Sequence, residues 1–179
     1  MYKIFRNLSF LLLVLCTSAL GGDTVPRTES EVKAAFLFTF LKYLEHSGNK
    51  TEPIIITVVG KDPFSGALKK YAGRQVKGRE VKLVYLDHNI KDIEKGSKSH
   101  LLYIDDSAIL LQKKVLKLYE PYKPLTIADN EWFLESGGMI NFVTMSRKIR
   151  WEVNHQVIKK NDIAISSKVL RLAVNKENK

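Results

Sequence analysis

Residues 53–64, Pro-Ile-Ile-Ile-Thr-Val-Val-Gly-Lys-Asp-Pro-Phe, decide the fold class of this chain. The first half is an almost continuous run of β-branched residues, which is typical of a strand buried on both faces of a sheet. Gly60 ends the run, and Asp62 with the proline after it has the pattern of a helix N-cap and first helical residue. The stretch predicts a strand that leads through a tight turn into a helix carrying Phe64 and Leu68 on its inner side.

The alternation of strand and helix patterns continues on both sides of this stretch. Further strands are expected at residues 80–86, 101–104 and 124–128. Further helices are expected at residues 28–45, 107–119, 131–134, 154–160 and from 166 onward. Such alternation favours a mainly parallel sheet with helices on both faces.

Two strand patterns near the C-terminus, at residues 139–143 and 148–153, are joined by a short polar turn and predict a hairpin. We therefore expect an α/β fold. Its architecture should be a three-layer α/β/α sandwich with a mixed, mainly parallel sheet of five or six strands and a C-terminal antiparallel hairpin.

The first 21 residues have the order of a secretory signal peptide. Lys3 and Arg6 precede the apolar run at residues 8–15, and small residues follow. The run is shorter than the roughly 20 residues that span a bilayer, and a membrane anchor is the alternative. The predicted division is a signal peptide at 1–21, a flexible leader at 22–28, a single domain at 29–175 and a charged tail at 176–179.

The net charge of the chain is +10, and removal of the signal peptide with its two basic residues leaves +8. This charge favours an acidic partner or an anionic membrane surface, although a merely solvated basic surface is the simpler interpretation. Export argues against nucleic acid. Removal of the signal peptide also removes Cys16, the only cysteine, so the mature chain has neither a disulfide nor a thiol.

The helix expected at residues 28–45 opens with a capping-box pattern and is apolar almost all round. Leu37, Phe38 and Leu41 lie off the main apolar stripe. A helix of this kind is buried on more than one side. Either it lies deep in the fold or its second face packs on another chain, and in the latter case these three residues are the expected partner or dimer contacts.

The sequence carries no nucleophile elbow, no phosphate-binding Walker loop and no pair of histidines or acids at metal-ligand spacing. Asp105 and Asp106 follow a strand, where a catalytic acid or metal ligand can lie, but the helix after them makes capping the simpler role. We therefore predict no catalytic residues, no metal site and no cofactor.

A candidate ligand pocket is nevertheless expected at the carboxyl edge of the sheet, because glycine turns and acids gather there. Tight turns and caps are the alternative interpretation. The residues assigned to this pocket are Gly60, Asp62, Phe64, Asp105, Gly137 and Gly138.

Seven motifs together resemble one protein family. They are Glu-Ser-Glu-Val-Lys-Ala-Ala-Phe (29–36), Gly-Lys-Asp-Pro-Phe (60–64), Gly-Arg (78–79), Leu-Thr-Ile-Ala-Asp (125–129), Gly-Gly-Met-Ile-Asn-Phe (137–142), Arg-Trp-Glu-Val-Asn (150–154) and Ser-Ser-Lys-Val-Leu-Arg-Leu-Ala (166–173). The chain resembles the YfiR family over roughly residues 29–174, and the motifs at 137–142 and 166–173 are the most specific.

This resemblance implies a periplasmic α/β protein, often a homodimer, that binds the periplasmic part of an inner-membrane diguanylate cyclase and holds it inactive. Release of the cyclase raises cyclic di-GMP and promotes biofilm formation. Some members carry cysteine pairs that make them redox-sensitive, and this property does not carry over to a mature chain without cysteine.

The sequence thus favours a regulatory binding protein that represses a membrane-anchored signalling partner. A periplasmic small-ligand binding module that feeds a sensor kinase or receptor is the alternative. A hydrolase that uses Asp105 or Asp106 is the least favoured interpretation.

Overall fold

The computed structural model describes residues 28–45, 51–94 and 98–174, and it contains one mixed sheet. The strands are β1 (Ile54–Val59), β2 (Gln75–Val76), β3 (Arg79–Leu86), β4 (Leu101–Ile104), β5 (Leu125–Ala128), β6 (Ile140–Met145) and β7 (Lys148–Val153). Their spatial order is β2-β3-β1-β4-β5-β6-β7. The four contacts from β3 to β6 are parallel, and the pairs β2–β3 and β6–β7 are antiparallel.

The helices are α1 (Glu29–Tyr43), α2 (Ile90–Glu94), α3 (Gln112–Tyr119), α4 (His155–Lys160) and α5 (Ser167–Arg171). Successive residues of β4 show how they are layered, because side chains alternate between the two faces of a strand. Tyr103 packs in the core with α1, α4 and α5, whereas Leu102 and Ile104 pack in a second core with α2 and α3. The expected α/β/α layering with a C-terminal hairpin is confirmed.

β1 lies near the centre of the sheet, between β3 and β4. Five of its six residues are buried, which agrees with its β-branched composition. The sheet has seven strands where five or six were expected. The additional strand, β2, has only two residues and is too short to leave a periodic pattern in the sequence.

Three helix predictions were wrong in detail. The segment after Asp62 forms turns and then a 3₁₀ helix at Ala67–Tyr71, because Gly66 adopts a left-handed conformation with φ of 78°. The segment from residue 107 begins instead as a 3₁₀ helix at Asp106–Leu111, which Asp105 caps. Residues 131–134 form turns, and α2 was not predicted.

Several boundary predictions were correct. Thr28 and Glu31 form the expected capping box, with bonds of 3.1 and 3.2 Å, and α1 ends two residues before the expected boundary. Asn154 and Ser166 cap α4 and α5. The expected signal peptide at residues 1–21 and the tail at 176–179 lie outside the described residues.

The helices of the described ranges are all too short or too polar to cross a bilayer.

A buried arginine fastens the start of β3 to the segment that precedes β1. The Arg79 guanidinium donates to the carbonyl oxygens of Glu52, at 2.7 Å, and Pro53, at 3.3 Å, and lies 3.0 Å from Nε2 of His100. The backbone N–H of Ile55 donates to Nδ1 of the same histidine. This network fixes where β1 and β3 enter the sheet.

We expect Arg79→Met to lower the free energy of unfolding by about 3 kcal/mol, because two partly buried carbonyls lose a charged donor. Arg74→Met is the matched control, since its guanidinium lies over the Tyr71 ring at the surface and should contribute less than about 1 kcal/mol. Urea unfolding followed by circular dichroism measures both. Equal effects of the two substitutions would contradict this role of Arg79.

Candidate functional site

The three residues of α1 that were expected to contact a partner lie inside the chain itself. Leu37, Phe38 and Leu41 are 0, 6 and 0% exposed. The Phe38 ring stacks on Tyr71 with 4.5 Å between centroids. The assignment of these residues to a partner or dimer surface is therefore corrected: α1 lies deep in the fold, because its second apolar face is covered by the 3₁₀ helix that follows β1.

The other apolar face of α1 packs on the C-terminal hairpin through four aromatic rings. Phe36 and Phe40 of α1 lie 5.0 and 5.2 Å from the ring of Trp151, in edge-to-face geometry. Both also lie 6.1 Å from Phe142. Such pairs add to the stabilisation from apolar burial.

The N-terminal part of α1 reaches the carboxyl edge of the sheet and carries a buried cation there. The Lys33 ammonium forms ion pairs with Asp129, directly after β5, and with Glu29. Burial alone would lower the pKa of Lys33, but the hydrogen bonds from the two carboxylates outweigh it and the pKa is raised. Lys33 thus closes this edge over β5, and neither the spacing nor the composition of the sequence indicated its pairing with Asp129.

Four of the six residues assigned to the candidate pocket do come together at the carboxyl edge. Gly60 has φ of +100°, and a Cβ atom there would lie 3.0 Å from Cβ of Asp105. The carboxylate of Asp105 accepts from the backbone N–H of Ser107, and that of Asp62 accepts from those of Phe64 and Gly66. These bonds are those of a tight turn and caps, the alternative interpretation of the sequence.

Phe64 is fully buried and meets the ring of Tyr103 edge-on, with 4.9 Å between centroids. Burial, together with the nearby carboxylates led by Asp129, raises the pKa of the Tyr103 hydroxyl. Phe64 is therefore part of the core beneath the edge and not of an open pocket wall.

Gly137 and Gly138 lie at the opposite edge, so their assignment to the same pocket was wrong. They precede β6, which runs parallel to β5, whereas Gly60 and Asp105 follow β1 and β4. A residue before a parallel strand and a residue after one lie at opposite edges of a sheet. Gly138 packs so closely on the ring of Phe133 that a Cβ atom would overlap it.

The carboxyl edge also carries two large apolar side chains in solvent. Leu110, in the segment after β4, is 97% exposed, and Trp132, in the loop after β5, is 56% exposed. The two segments are joined by a hydrogen bond of 2.9 Å from the Asn130 amide to Gln112. Exposed acids, Asp106 and Glu131, lie in the same segments. Trp132 and Phe133 are adjacent aromatic residues, and no pattern in the sequence indicated that the first is exposed while the second is buried.

The amino edge of the sheet holds two clefts. One, of about 520 Å³, lies between the end of α1 and the segments that lead into β4 and β5. The other, of about 230 Å³, lies between α3 and α4 and includes Gly137. Lys113 and Lys117 of α3 line the second cleft, and their spacing of four residues on a helix was a sequence signal for a shared face. Within residues 28–45, 51–94 and 98–174, no three potential metal ligands cluster.

Interior aromatic packing, rather than surface contact, is thus the expected role of α1, and this can be tested. Phe38→Asp places a carboxylate against Tyr71 in the core and should lower the free energy of unfolding by about 4 kcal/mol or more. Lys42→Gln, one turn further along at the surface, should change it by less than about 1 kcal/mol. Thermal unfolding compares the two variants. A Phe38→Asp protein that folds with the melting temperature of the wild type would contradict the interior position of Phe38.

Comparisons with known proteins place this geometry in context. Residues 30–174 match the family model described as YfiR/HmsC-like. A search of curated proteins finds no significant match.

Two solved structures share the fold. One is a conserved domain protein from Vibrio cholerae O1 biovar El Tor, with a TM-score of 0.57, 10% identity and coverage of 83% of this chain and 60% of that one. The other is an ABC domain in complex with L-Trp from Streptococcus pneumonia, with a TM-score of 0.55, 10% identity and coverage of 82% and 61%. The chain spans about three fifths of each, and at this identity the likeness concerns the fold alone.

The family model covers almost all of the chain that the structure describes, and the motifs that carry the resemblance lie on the helices, strands, turns and caps reported above. The chain therefore belongs to the YfiR/HmsC-like family.

Proposed function

We propose that this chain is a periplasmic regulatory binding protein that represses a membrane-anchored signalling partner such as a diguanylate cyclase. The observation that carries the proposal is the family match over residues 30–174. Proteins of this family are periplasmic regulators of cyclic di-GMP signalling and not known enzymes. In this proposal residues 1–21 direct export, and release of the partner raises cyclic di-GMP and promotes biofilm formation.

Repression requires a difference in affinity between two states of the partner. A regulator that binds the inactive state more tightly shifts the population toward that state, whereas equal affinity for both states shifts nothing. The surface that makes the contact must therefore be accessible and specific. The buried residues of α1 cannot form it, because they are not exposed.

The contact surface that we propose instead is the carboxyl-edge patch, defined as Leu110, Trp132, Asp106 and Glu131. Tryptophan is enriched among the residues that dominate binding energy at interfaces. Both apolar side chains are exposed in segments that follow neighbouring strands at the same edge of the sheet.

Charge gives the chemistry of the partner surface. The patch combines exposed apolar side chains with acids, although the chain as a whole carries a net charge of +10. The proposed occupant is a periplasmic domain of the membrane partner that offers an apolar pocket with basic side chains at its rim. Complementary charge of this kind steers association and orients the two proteins.

We expect Trp132→Lys to weaken binding to the periplasmic domain of the cyclase by at least about 20-fold, because it removes a central aromatic contact and adds a repelling charge. Leu172→Lys, an exposed apolar residue that follows α5, is the matched control and should leave binding unchanged. Titration calorimetry measures both affinities, and both variants should melt like the wild type since the side chains are exposed.

In cells, the same variants test the proposed contact surface and the proposed function separately. Deletion of the gene should raise cyclic di-GMP, and the wild type and Leu172→Lys should lower it again while Trp132→Lys does not. Normal binding by Trp132→Lys would show that the patch is the wrong surface. An unchanged level of cyclic di-GMP after deletion, with no binding by the wild type, would contradict the function itself.

A further inference from the structure

The sheet has an outer side along β3 that the short strand β2 covers only where β3 begins. β2 pairs with Arg79 and Glu80, and the segment before β2 bonds to Val81. Residues 82–86 pair with β1 on one side and with no described strand on the other. We call residues 82–86 the open β3 edge.

The hydrogen bonds of Val81 show which backbone groups of β3 point outward. Its N–H donates to the carbonyl of Arg74 at 2.8 Å, and its carbonyl accepts the N–H of Gly73 at 2.9 Å. Both donor and acceptor of Val81 therefore point away from β1. Because successive residues of a strand point their backbone groups to opposite sides, every second residue after Val81 also points outward.

The far end of β3 gives the same assignment. The carbonyl of Leu86 accepts the N–H of Gly60 at 2.8 Å, so Leu86 points toward β1. Leu83 and Tyr85 then both point outward. Among the hydrogen bonds between described residues, none pairs the outward N–H and C=O groups of these two residues. The open β3 edge thus offers two donors and two acceptors to an additional strand.

The side chains of this edge also suit an additional strand. Lys82 is its one charged residue, and the four that follow are apolar or aromatic. Tyr85 is 37% exposed. The outer strand at the other side of the sheet, β7, instead carries exposed Lys148 and Arg150, and such charges discourage pairing.

A second copy of the same strand matches this edge. About a twofold axis through Val84, antiparallel pairing places Leu83 of each copy opposite Tyr85 of the other. All the outward groups of residues 82–86 are then used, in four hydrogen bonds, and each tyrosine ring meets an aliphatic side chain. Lys82 lies opposite Leu86 of the second copy. The two lysines are about 14 Å apart along the strands and do not repel each other at close range.

We propose that two copies of this chain associate through the open β3 edge, antiparallel and about a twofold axis at Val84, so that their sheets join into one. Twofold pairing uses the edge of both copies, so assembly stops at the dimer. The carboxyl-edge patch follows β4 and β5 and takes no part in this contact. Pairing of a few residues is a small interface, and we expect a dissociation constant on the order of 10 μM.

A thiol at the twofold axis tests the register. Opposed residues that do not hydrogen-bond to each other have Cα atoms about 4.5 Å apart, a distance that a disulfide spans. In a Cys16→Ser background Val84→Cys supplies the only thiol, and mild oxidation should link it into a dimer on a non-reducing denaturing gel. Lys82→Cys is the matched control: it lies on the same face of β3, about 14 Å from its own copy, and should stay monomeric.

Absence of the Val84→Cys dimer would overturn the proposal, and so would equal linking of Lys82→Cys, because random collision would then explain both.

Sedimentation equilibrium tests the side chains of the interface. Tyr85→Lys should weaken association at least about tenfold, because it replaces an aromatic cross-strand contact with a charge on the edge. Tyr122→Lys is the control, since Tyr122 is 46% exposed and lies away from β3. It should associate like the wild type, and both variants should keep the far-ultraviolet circular dichroism of the wild type. A Tyr85→Lys protein that dimerises as well as Tyr122→Lys would place the interface on another surface.

Amide hydrogen exchange identifies the occupant of the edge. The N–H groups of Leu83 and Tyr85 should exchange more slowly as protein concentration rises, whereas that of Val84, which points toward β1, should not change. Equal exchange at low and high concentration would contradict self-association. Protection that appears only when the periplasmic domain of a membrane partner is added would assign the edge to a strand of that partner and overturn the proposal.

Discussion

The packing of α1 against the C-terminal hairpin is the contact on which the rest of the structure depends. It joins the first described helix to the last two strands, so the ends of the domain are held together by aromatic rings. The opposite face of the same helix covers the 3₁₀ helix after β1. Because both apolar faces of α1 are buried, only its polar first turn and its last residues remain accessible for other contacts. Lys33, one turn after the start of the helix, closes the carboxyl edge through its ion pair with Asp129.

Local patterns in the sequence predicted the features that depend on residues close together in the chain. The features that depend on contacts between distant segments could not be predicted in this way. The β-branched run of β1 and the cap formed by Thr28 depend on residues a few positions apart, and both were predicted correctly. The apolar periphery of α1 was compatible with a buried helix and with a partner surface, because the covering segments are distant in sequence. The edge at which Gly137 lies depends on the direction of β6 relative to β5, which no local pattern contains.

The two edges of the sheet differ in charge. Acids gather at the carboxyl edge, where Asp105 and Asp129 follow strands and serve as a cap and an ion-pair partner. Lysines gather at the amino edge, where Lys123 precedes β5. A chain with a large net positive charge is therefore polarised along the strand direction, and it presents different chemistry to partners that approach from the two sides.

The outer strand β7 has a consequence for the protein at high concentration. An open strand edge offers unpaired backbone groups that can add strands from other molecules and grow into fibrous aggregates. Here the backbone N–H of Val174 donates to the carbonyl of Trp151 at 2.8 Å, so the chain's own C-terminal segment occupies part of that edge. Lys148 and Arg150 on the same strand are exposed and add repulsion between copies. Solubility in a crowded compartment is thus protected by a few residues that take no part in the carboxyl-edge patch.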